Sequence, residues 1–255
     1  MFLRNAWYVG AWDTEVGRQN LLRRTLLNEP VVFYRQEVGD MIQCPYHGLE
    51  YNADGNCVRV PGQSTVPPGC RVRSYPVVER NHWIWLWMGD PELANPDDIE
   101  DFHWMDHPDW RAKGELMHLK ADYRLLVENL LDLSHLSYIH ATTLGTSAVA
   151  ETPMSVDRSD RHVTVTTTHY FWAQAHDFRI DEPWITDLLV ANIHEAFLED
   201  LEIIGLQQIN IDSGTTRPRI DINHDGGGLQ AIRTLEAMIE AENDPGSGRT
   251  AQAAE

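Results

Sequence analysis

Residues Asn129–His140 read NLLDLSHLSYIH and place one Asn, one Asp and two His within a run rich in Leu and Ile. Polar side chains in such a setting need partners, because burying an unpaired polar group is costly, and a metal ion can act as the partner. His135 and His140 are separated by about 140° on an ideal helix of about 100° per residue. Both can therefore bind one ion only if the helix bends or ends between them.

Asp132 lies three residues before His135, and residues at this spacing share a face of a helix. Its carboxylate can therefore accept a hydrogen bond from an imidazole N–H, as partners of metal-binding histidines do. Taken alone, the two histidines are weak support for a metal site. An amphipathic core helix with histidines at its edge would have the same pattern.

A second motif, CPYHG at Cys44–Gly48, strengthens the metal interpretation. Pro and Gly favour a tight loop, which can direct the sulfur of Cys44 and the imidazole of His47 toward one metal. In a Rieske [2Fe–2S] centre two His replace two Cys on one iron, so the centre needs two Cys–His pairs. CPYHG has the form of the second pair. The alternative is a buried Cys beside an unrelated loop histidine.

Together these motifs resemble the oxygenase component of the Rieske non-haem iron oxygenases, most closely the aromatic O-demethylases of the vanillate and dicamba type. The resemblance extends almost from end to end, through several motifs in the same order as in the family. They are NAWYVGAW (5–12), VVFYR (31–35), CPYHGLEYNADGNC (44–57), VPGQ (60–63), SYPVVERNHWIWLWMGDPELA (74–94), DYRLLVENLLDLSHLSYIH (122–140), HYFWAQAHDF (169–178) and FLEDLE (197–202).

The resemblance implies an α+β fold with an N-terminal all-β Rieske domain over residues 1–112 and a helix-grip catalytic domain over residues 113–255. It implies that Cys44 and His47 bind the [2Fe–2S] cluster and that Asp132 links the cluster to the iron.

The family's iron ligands, two imidazoles and one carboxylate, match His135, His140 and Asp200. Such a set leaves positions on Fe(II) open for O2 and substrate. Glu199 would take the place of Asp200 if the register shifted by one residue.

The implied reaction is oxidation of a methyl ether on an aromatic acid, in which the methyl group is hydroxylated and the hemiacetal collapses to a phenol and formaldehyde. Ring hydroxylation uses the same metal site, so it remains an alternative. The resemblance also implies a homotrimer, in which electrons cross a subunit boundary, and a separate NAD(P)H-dependent reductase or ferredoxin.

The chain departs from the family pattern at two points. The family has a C-x-H pair before the C-x2-H pair, but residues 36–43, between VVFYR and CPYHG, contain neither Cys nor His. The family also has a longer stretch of strands and loops before the HYFW strand, whereas VTVTTTHYFW runs straight through at Val163–Trp172. Either residues are missing from the sequence at these points, or the protein is genuinely shortened.

We favour missing residues, because both losses fall within a domain and the flanking motifs are intact. This predicts a break in the backbone between Arg35 and Asp40, and another between Val163 and His169. A shortened protein would instead be a non-catalytic relative that binds a ligand or a partner. A third alternative, an electron carrier of the Rieske ferredoxin type, would have no use for His135, His140 and Asp200.

Charge and composition exclude several other classes of protein. Lys and Arg number 20 against 39 Asp and Glu, a net charge of −19. Such a chain is a poor candidate for binding nucleic acid or an anionic membrane, and it suits a partner with a basic docking face. Three cysteines argue against a disulfide-stapled secreted fold. No signal peptide or membrane span is evident, so a cytoplasmic enzyme is expected.

The pattern of apolar residues predicts several elements. Strands are expected in VVFYR, in HWIWLWM, over 115–122 and over 163–172, with a hairpin turn at 52–56. Helices are expected over 123–138, 184–206 and 229–241, the last after a break at Gly226–Gly228. Trp83, Trp85 and Trp87 alternate along one strand, and we interpret them as packing residues.

Overall fold

The computed structural model describes residues 2–37, 40–143, 169–214 and 225–244, and these residues form both α-helices and β-strands. The chain divides into two units, Arg4–Glu100 and Asp101–Glu255 with Met1–Leu3. The boundary suggested by the sequence, at residue 112, falls instead within a strand of the second unit, Arg111–His118.

The N-terminal unit consists of short antiparallel strands, as the sequence predicts. Three of them form the sheet β1-β8-β7, two form the hairpin β2-β3, and three form the sheet β4-β5-β6. The strands are β1 Trp7–Trp12, β2 Leu22–Leu26, β3 Glu29–Phe33, β4 Ile42–Gln43, β5 Glu50–Tyr51, β6 Cys57–Arg59, β7 Val77–Arg80 and β8 Trp83–Trp87.

Strand β8 is the centre of the first sheet, and all five of its residues are buried. Indole rings pack edge to face or tilted across the β1–β8 pair, with Trp7 and Trp87 5.5 Å apart and Trp12 and Trp83 5.3 Å apart between ring centroids. Such pairs add to the free energy gained by burying the rings. The prediction that these tryptophans are packing residues is confirmed.

The hairpin turn predicted at residues 52–56 joins β5 to β6. The Asn52 side chain accepts a hydrogen bond from the Asn56 backbone N–H at 2.9 Å, which is how Asn favours turns. Gly55 has φ +77°, and a Cβ there would lie 2.4 Å from the carbonyl oxygen of Val72. Only glycine fits this position, because both the backbone conformation and the close approach exclude a side chain.

In the described part of the C-terminal unit, helices pack against an antiparallel strand pair, β9 Arg111–His118 and β10 His169–His176. The described helices are α1 Tyr123–Leu131, α2 Pro183–Asp212 and α3 Gly226–Asn243. The predicted strand over 115–122 thus begins and ends four residues earlier than expected. The predicted strand over 163–172 is confirmed from residue 169 onward, and residues 163–168 lie outside the described residues.

Helix α2 contributes to two apolar clusters that fix its position. One contains Met117 of β9, Trp172 of β10 and Val190 of α2, and the other contains Leu119, Ala121 and Ile204. Burial of these side chains is the main force that holds α2 against the sheet and against α1. The fixed position of α2 matters because one polar residue on its buried side belongs to the site.

The helix predicted over 123–138 is interrupted at Asp132. This residue has φ −104° and ψ 91°, and a 3-10 turn follows over Leu133–Ser137. The prediction of one continuous helix is therefore wrong. The expectation that a shared ion needs the helix to bend or end is met, because the 3-10 turn ends between His135 and His140.

The three glycines predicted to break the chain begin helix α3 instead. A Cβ on Gly227 would lie 2.9 Å from the carbonyl oxygen of Leu131, and one on Gly228 would lie 3.1 Å from the Cα of Glu128. The missing side chains let α3 approach α1 closely. Tertiary packing outweighs the poor helix propensity of glycine here.

The predicted backbone break between Arg35 and Asp40 stays a prediction, because residues 38 and 39 lie outside the described residues. On either side of these two residues, the backbone N–H of Asp40 donates to the carbonyl of Glu37 at 3.1 Å. The break predicted between Val163 and His169 lies outside the described residues. Among the described helices, none combines the length and the apolar character that a membrane-spanning helix needs.

Glu29, at the start of β3, is held by a network that makes folding sensitive to acid. It accepts a hydrogen bond from Tyr75 at 2.7 Å and pairs with Arg4 at 2.6 Å. The hydrogen bond from Tyr75, with the nearby arginines, lowers the pKa of Glu29 below 4.5. Glu29 raises the pKa of Tyr75 in turn, after burial, to about 12.

We expect Glu29→Gln to reduce the free energy of unfolding by about 1 kcal/mol at neutral pH. Because the folded-state pKa is lowered, this stabilisation is complete above the ordinary value and is lost as the pH falls through the lowered one. Urea unfolding from pH 7 to pH 3 should therefore bring wild type and variant together at the acid end. Glu37→Gln, which changes a largely exposed carboxylate, is the control and should have little effect. A constant difference at every pH would contradict the prediction.

Candidate metal centre

Two segments that are distant in sequence build the site. The first is the 3-10 turn after α1, where Asp132 acts as the N-cap: its carboxylate accepts hydrogen bonds from the Ser134 backbone N–H at 2.9 Å and hydroxyl at 2.6 Å. The second is helix α2, where Asp200 lies among buried residues. Ala196, Asp200 and Ile204 are spaced four apart and form one buried stripe.

Three donor atoms converge between these segments, as predicted. The Nε2 of His140 lies 3.1 Å from Oδ1 of Asp200, and the Nε2 of His135 lies 3.5 Å from the same oxygen. One ligand atom from each of the three residues lies within 4.8 Å of the others. His140 is 1% exposed and Asp200 4% exposed, so bulk water does not solvate them.

The other ring nitrogen of each histidine is held by an oxygen that can only accept a hydrogen bond. The Nδ1 of His135 contacts the backbone carbonyl of Asp132. The Nδ1 of His140 lies 2.7 Å from Oε2 of Glu199. Both Nδ1 atoms therefore carry a proton, so in the neutral imidazole it is the Nε2 atom, facing Asp200, that is able to bind a metal.

The contact at His135 corrects one detail of the sequence interpretation. Asp132 does orient His135, but through its backbone carbonyl and not through its carboxylate. The break in the helix explains this, because the carboxylate is used to cap the 3-10 turn. Whether that carboxylate also reaches another subunit remains a prediction.

The role of Glu199 was missed by the sequence analysis, which treated it as a possible substitute for Asp200. Its Oε2 also accepts a hydrogen bond from the Thr143 hydroxyl at 2.9 Å. The hydrogen bonds from His140 and then Thr143 lower the pKa of Glu199, which keeps it ionised. The sequence signal for this role was the adjacent pair Glu199 and Asp200, because two neighbouring carboxylates on a helix can each contact a histidine nitrogen.

Asn129 and Tyr170 complete the surroundings of Asp200. The amide of Asn129 donates to Oδ1 of Asp200 at 3.1 Å, whereas its own Oδ1 is buried without a hydrogen-bond partner among the described residues. Burial raises the pKa of Tyr170, and the charge of Asp200 adds to the shift, so this phenol remains protonated.

The donor set fits a divalent cation. Two imidazole lone pairs and a carboxylate oxygen that face one point repel one another unless a positive charge lies between them. Two nitrogens and one oxygen suit Fe(II) in the 2-His-1-carboxylate arrangement, which leaves further positions open.

The CPYHG motif forms a closed loop between β4 and β5. The backbone N–H of Gly48 donates to the carbonyl of Cys44 at 2.9 Å, and Cys44 donates to Leu49 at 2.7 Å. His47 is exposed, and its ring contacts Tyr46 at 4.2 Å between centroids. Cys44 and His47 thus lie in one tight loop, and their role as cluster ligands remains a prediction.

Two family profiles match the sequence. The Rieske [2Fe-2S] domain matches residues 36–76, and the vanillate O-demethylase oxygenase C-terminal domain matches residues 119–168 and 163–241.

Among curated relatives, an iron-sulfur subunit of the toluene-4-sulfonate monooxygenase system of Comamonas testosteroni is 33% identical over 342 positions, covering 95% of this chain and 99% of the relative. The oxygenase component of dicamba O-demethylase from Stenotrophomonas maltophilia is 39% identical over 188 positions, covering 64% of this chain and 53% of the relative.

Solved structures of dicamba monooxygenase are also similar. The one bound to dicamba has a TM-score of 0.83 and 27% identity, and the one with non-heme iron and dicamba has a TM-score of 0.72 and 26% identity; each comparison covers 94% of this chain and 98% of the other. The 342 positions aligned with the Comamonas protein exceed the 255 residues of this chain. That relative therefore has segments without a counterpart here.

We expect Glu199→Gln to weaken metal binding by about 10- to 100-fold, because His140 loses the charged partner that fixes its tautomer and raises its basicity. Titration of metal-free protein with Fe(II), or with Co(II) followed by its visible absorption, measures the change. Glu195→Gln is the matched control, since Glu195 is exposed and lies one turn earlier on the same helix. Equal affinities for the two variants would contradict a role for Glu199.

Proposed function

Because this chain belongs to the Rieske non-haem iron oxygenase family, we propose that it oxidises an aromatic substrate by O-demethylation of a methoxy-aromatic acid. Membership follows from the end-to-end match to the Comamonas relative and from the two domain profiles. The observation that carries the proposal is the convergence of His135, His140 and Asp200 on one buried point. The choice of demethylation is supported by the dicamba O-demethylase relative and by the vanillate-type domain.

We assign His135, His140 and Asp200 as the ligands of the mononuclear iron, through Nε2, Nε2 and Oδ1. When bound, Fe(II) supplies the activation of O2 for attack on the substrate methyl group. The protein's own part is to hold the three donors: Glu199 and the Asp132 carbonyl fix the histidine tautomers, and the Asn129 amide fixes Asp200. His140 and Asp200 are buried, so bulk water does not solvate them, and His135 is partly buried.

The second cofactor of the family is the Rieske [2Fe–2S] cluster, and the match of residues 36–76 to the Rieske domain profile supports the same cofactor for this chain. The sequence supplies one Cys–His pair for it, Cys44 and His47, where two pairs are needed. The two remaining cysteines, Cys57 and Cys70, are not in a C-x-H motif. The residues present therefore do not complete the cluster, and the missing pair has to come from outside this sequence.

Electrons have to come from a separate NAD(P)H-dependent reductase or ferredoxin, as in multi-component oxygenases. The net charge of −19 suits a partner with a basic docking face. A homotrimer in which Asp132 of one subunit meets His47 of its neighbour would let electrons cross between subunits. We place the enzyme in the cytoplasm.

Two alternatives differ from this proposal in testable ways. A ring-hydroxylating oxygenase on the same scaffold would give a hydroxylated ring and no formaldehyde. A shortened, non-catalytic relative is favoured by the incomplete cluster pair, and it would bind a small ligand or a partner without turnover.

The proposal is tested with the whole chain, a reductase, NAD(P)H, O2 and a panel of methoxybenzoic acids. We expect formaldehyde and the matching phenol in equal amounts, and no product from His135→Ala, which should lose mononuclear iron. Metal and sulfide counts separate the alternatives. About three irons and two sulfides per chain, with a Rieske spectrum, would mean that the missing pair is supplied from elsewhere. A colourless protein without iron and without product would support the non-catalytic relative.

Asp132→Asn tests the proposed electron link. The amide oxygen can still cap the 3-10 turn, so we expect iron content and thermal stability close to wild type. If the negative charge serves electron supply, reductase-driven turnover should fall by at least about 100-fold.

Ser134→Ala is the matched control, because it removes one hydrogen bond to the Asp132 carboxylate but keeps the charge. It should retain most of the turnover. Wild-type turnover in Asp132→Asn would leave Asp132 with a capping role alone.

A further inference from the structure

We infer that Cys57 and Cys70 form a reversible intrachain disulfide in the N-terminal unit, a modification site separate from the metal centre. Neither cysteine has a part in the proposed reaction, and both are free thiols in the structure. Two features place the two sulfurs together, and a third, unequal access, decides which thiol reacts first.

The first feature is strand register. Asn56 and Arg71 form an antiparallel bridge, so the next pair in register is Cys57 and Cys70. The backbone N–H of Cys57 donates to the carbonyl of Cys70 at 3.0 Å. Directly opposed residues on antiparallel strands have neighbouring Cβ atoms on the same face.

The second feature is the proximity of the two thiols. Burial, and then the neighbouring Cys70 side chain, raise the pKa of the Cys57 thiol. Cys57 also donates to the carbonyl of Arg59 at 3.4 Å. The third feature is unequal access: Cys57 is 8% exposed, whereas Cys70 is only partly buried.

Because the two thiols differ in access, these features set the order of the two steps by which a small-molecule disulfide such as oxidised glutathione oxidises them. The accessible Cys70 thiolate attacks one sulfur of the oxidant, which releases one glutathione thiolate and leaves a mixed disulfide on Cys70. The Cys57 thiolate then attacks the Cys70 sulfur and releases the second glutathione. Two protein thiols are oxidised, one glutathione disulfide is reduced to two thiols, and the two protons pass to the departing thiolates.

The new bond would join the segment at residues 70–72 to β6. Strand β6 pairs with β5, which directly follows the CPYHG loop. Cys44 directly follows β4, whose Ile42 pairs with Tyr51, the partner of Cys57. Oxidation would therefore cross-link the part of the unit that carries Cys44 and His47. It would raise the midpoint temperature of thermal unfolding, because the cross-link constrains the unfolded chain.

The experiment equilibrates the full chain in buffers of increasing glutathione disulfide, followed by acid quenching, alkylation and peptide mapping by mass spectrometry. We expect one product about 2 Da lighter than the reduced chain, with Cys57 linked to Cys70 and Cys44 alkylated. The oxidation equilibrium constant should be on the order of tenfold or more higher for the folded chain than in concentrated urea, because the fold holds the thiols together.

Variants separate this pair from the third thiol. Cys57→Ser and Cys70→Ser should each abolish the internal disulfide, whereas Cys44→Ser should keep it. The inference is overturned if the wild-type chain links Cys44 to either partner, if all three thiols remain alkylated at the most oxidising ratio, or if urea leaves the equilibrium constant unchanged.

Discussion

The site depends on the arrangement of two imidazole nitrogens and a carboxylate oxygen around one point from which water is excluded. Three such atoms within 4.8 Å of one another are unfavourable in a setting that is largely buried, because one amide hydrogen bond, from Asn129 to Asp200, does not balance the carboxylate charge. A divalent cation removes this cost. Without it, the same positions would favour apolar residues, since the neighbours of Asp200 on its helix face are Ala196 and Ile204.

Holding these donors requires a second layer of polar contacts, and the fold supplies a different kind for each. A backbone carbonyl holds His135, a carboxylate holds His140 and an amide holds Asp200. The first depends on the helix break at Asp132, which turns that carbonyl toward the imidazole. The second depends on α2, which carries Glu199 next to Asp200. Packing of α2 on the sheet and on α1 therefore sets the geometry of the metal centre.

The N-terminal unit differs from this, because its strands pack a core while its sequence supplies only one of the two Cys–His pairs that the cluster needs. Its tryptophan-rich sheet and the closed CPYHG loop are as the sequence predicts. Between VVFYR and that loop the sequence has only residues 36–43, and no second Cys–His pair is present in the sequence. Without that pair the cluster lacks ligands, whereas the tryptophan packing of the first sheet is in place.

The sequence by itself determined several strands, one turn and the residues of the metal site. Alternating aromatic residues predict the buried strand β8, Asn and Gly predict the β5–β6 turn, and the Asn129–His140 and FLEDLE segments predict the three metal donors. These patterns are local, so they can be read without knowledge of packing. Family membership could likewise be predicted, because the motifs occur in a fixed order.

Other features were decided only by the tertiary structure. The glycines at 226–228 begin a helix because close contact with Leu131 and Glu128 compensates for their low propensity. Glu199 rather than Asp132 supplies the carboxylate that orients a histidine, because the helix ends at Asp132 and its side chain caps the next turn. Cys57 and Cys70 are opposed because the segment around Arg71 forms an antiparallel bridge beside β6. In each case the deciding contact joins residues that are apart in the chain or depends on where a helix ends, and spacing along the sequence does not specify either.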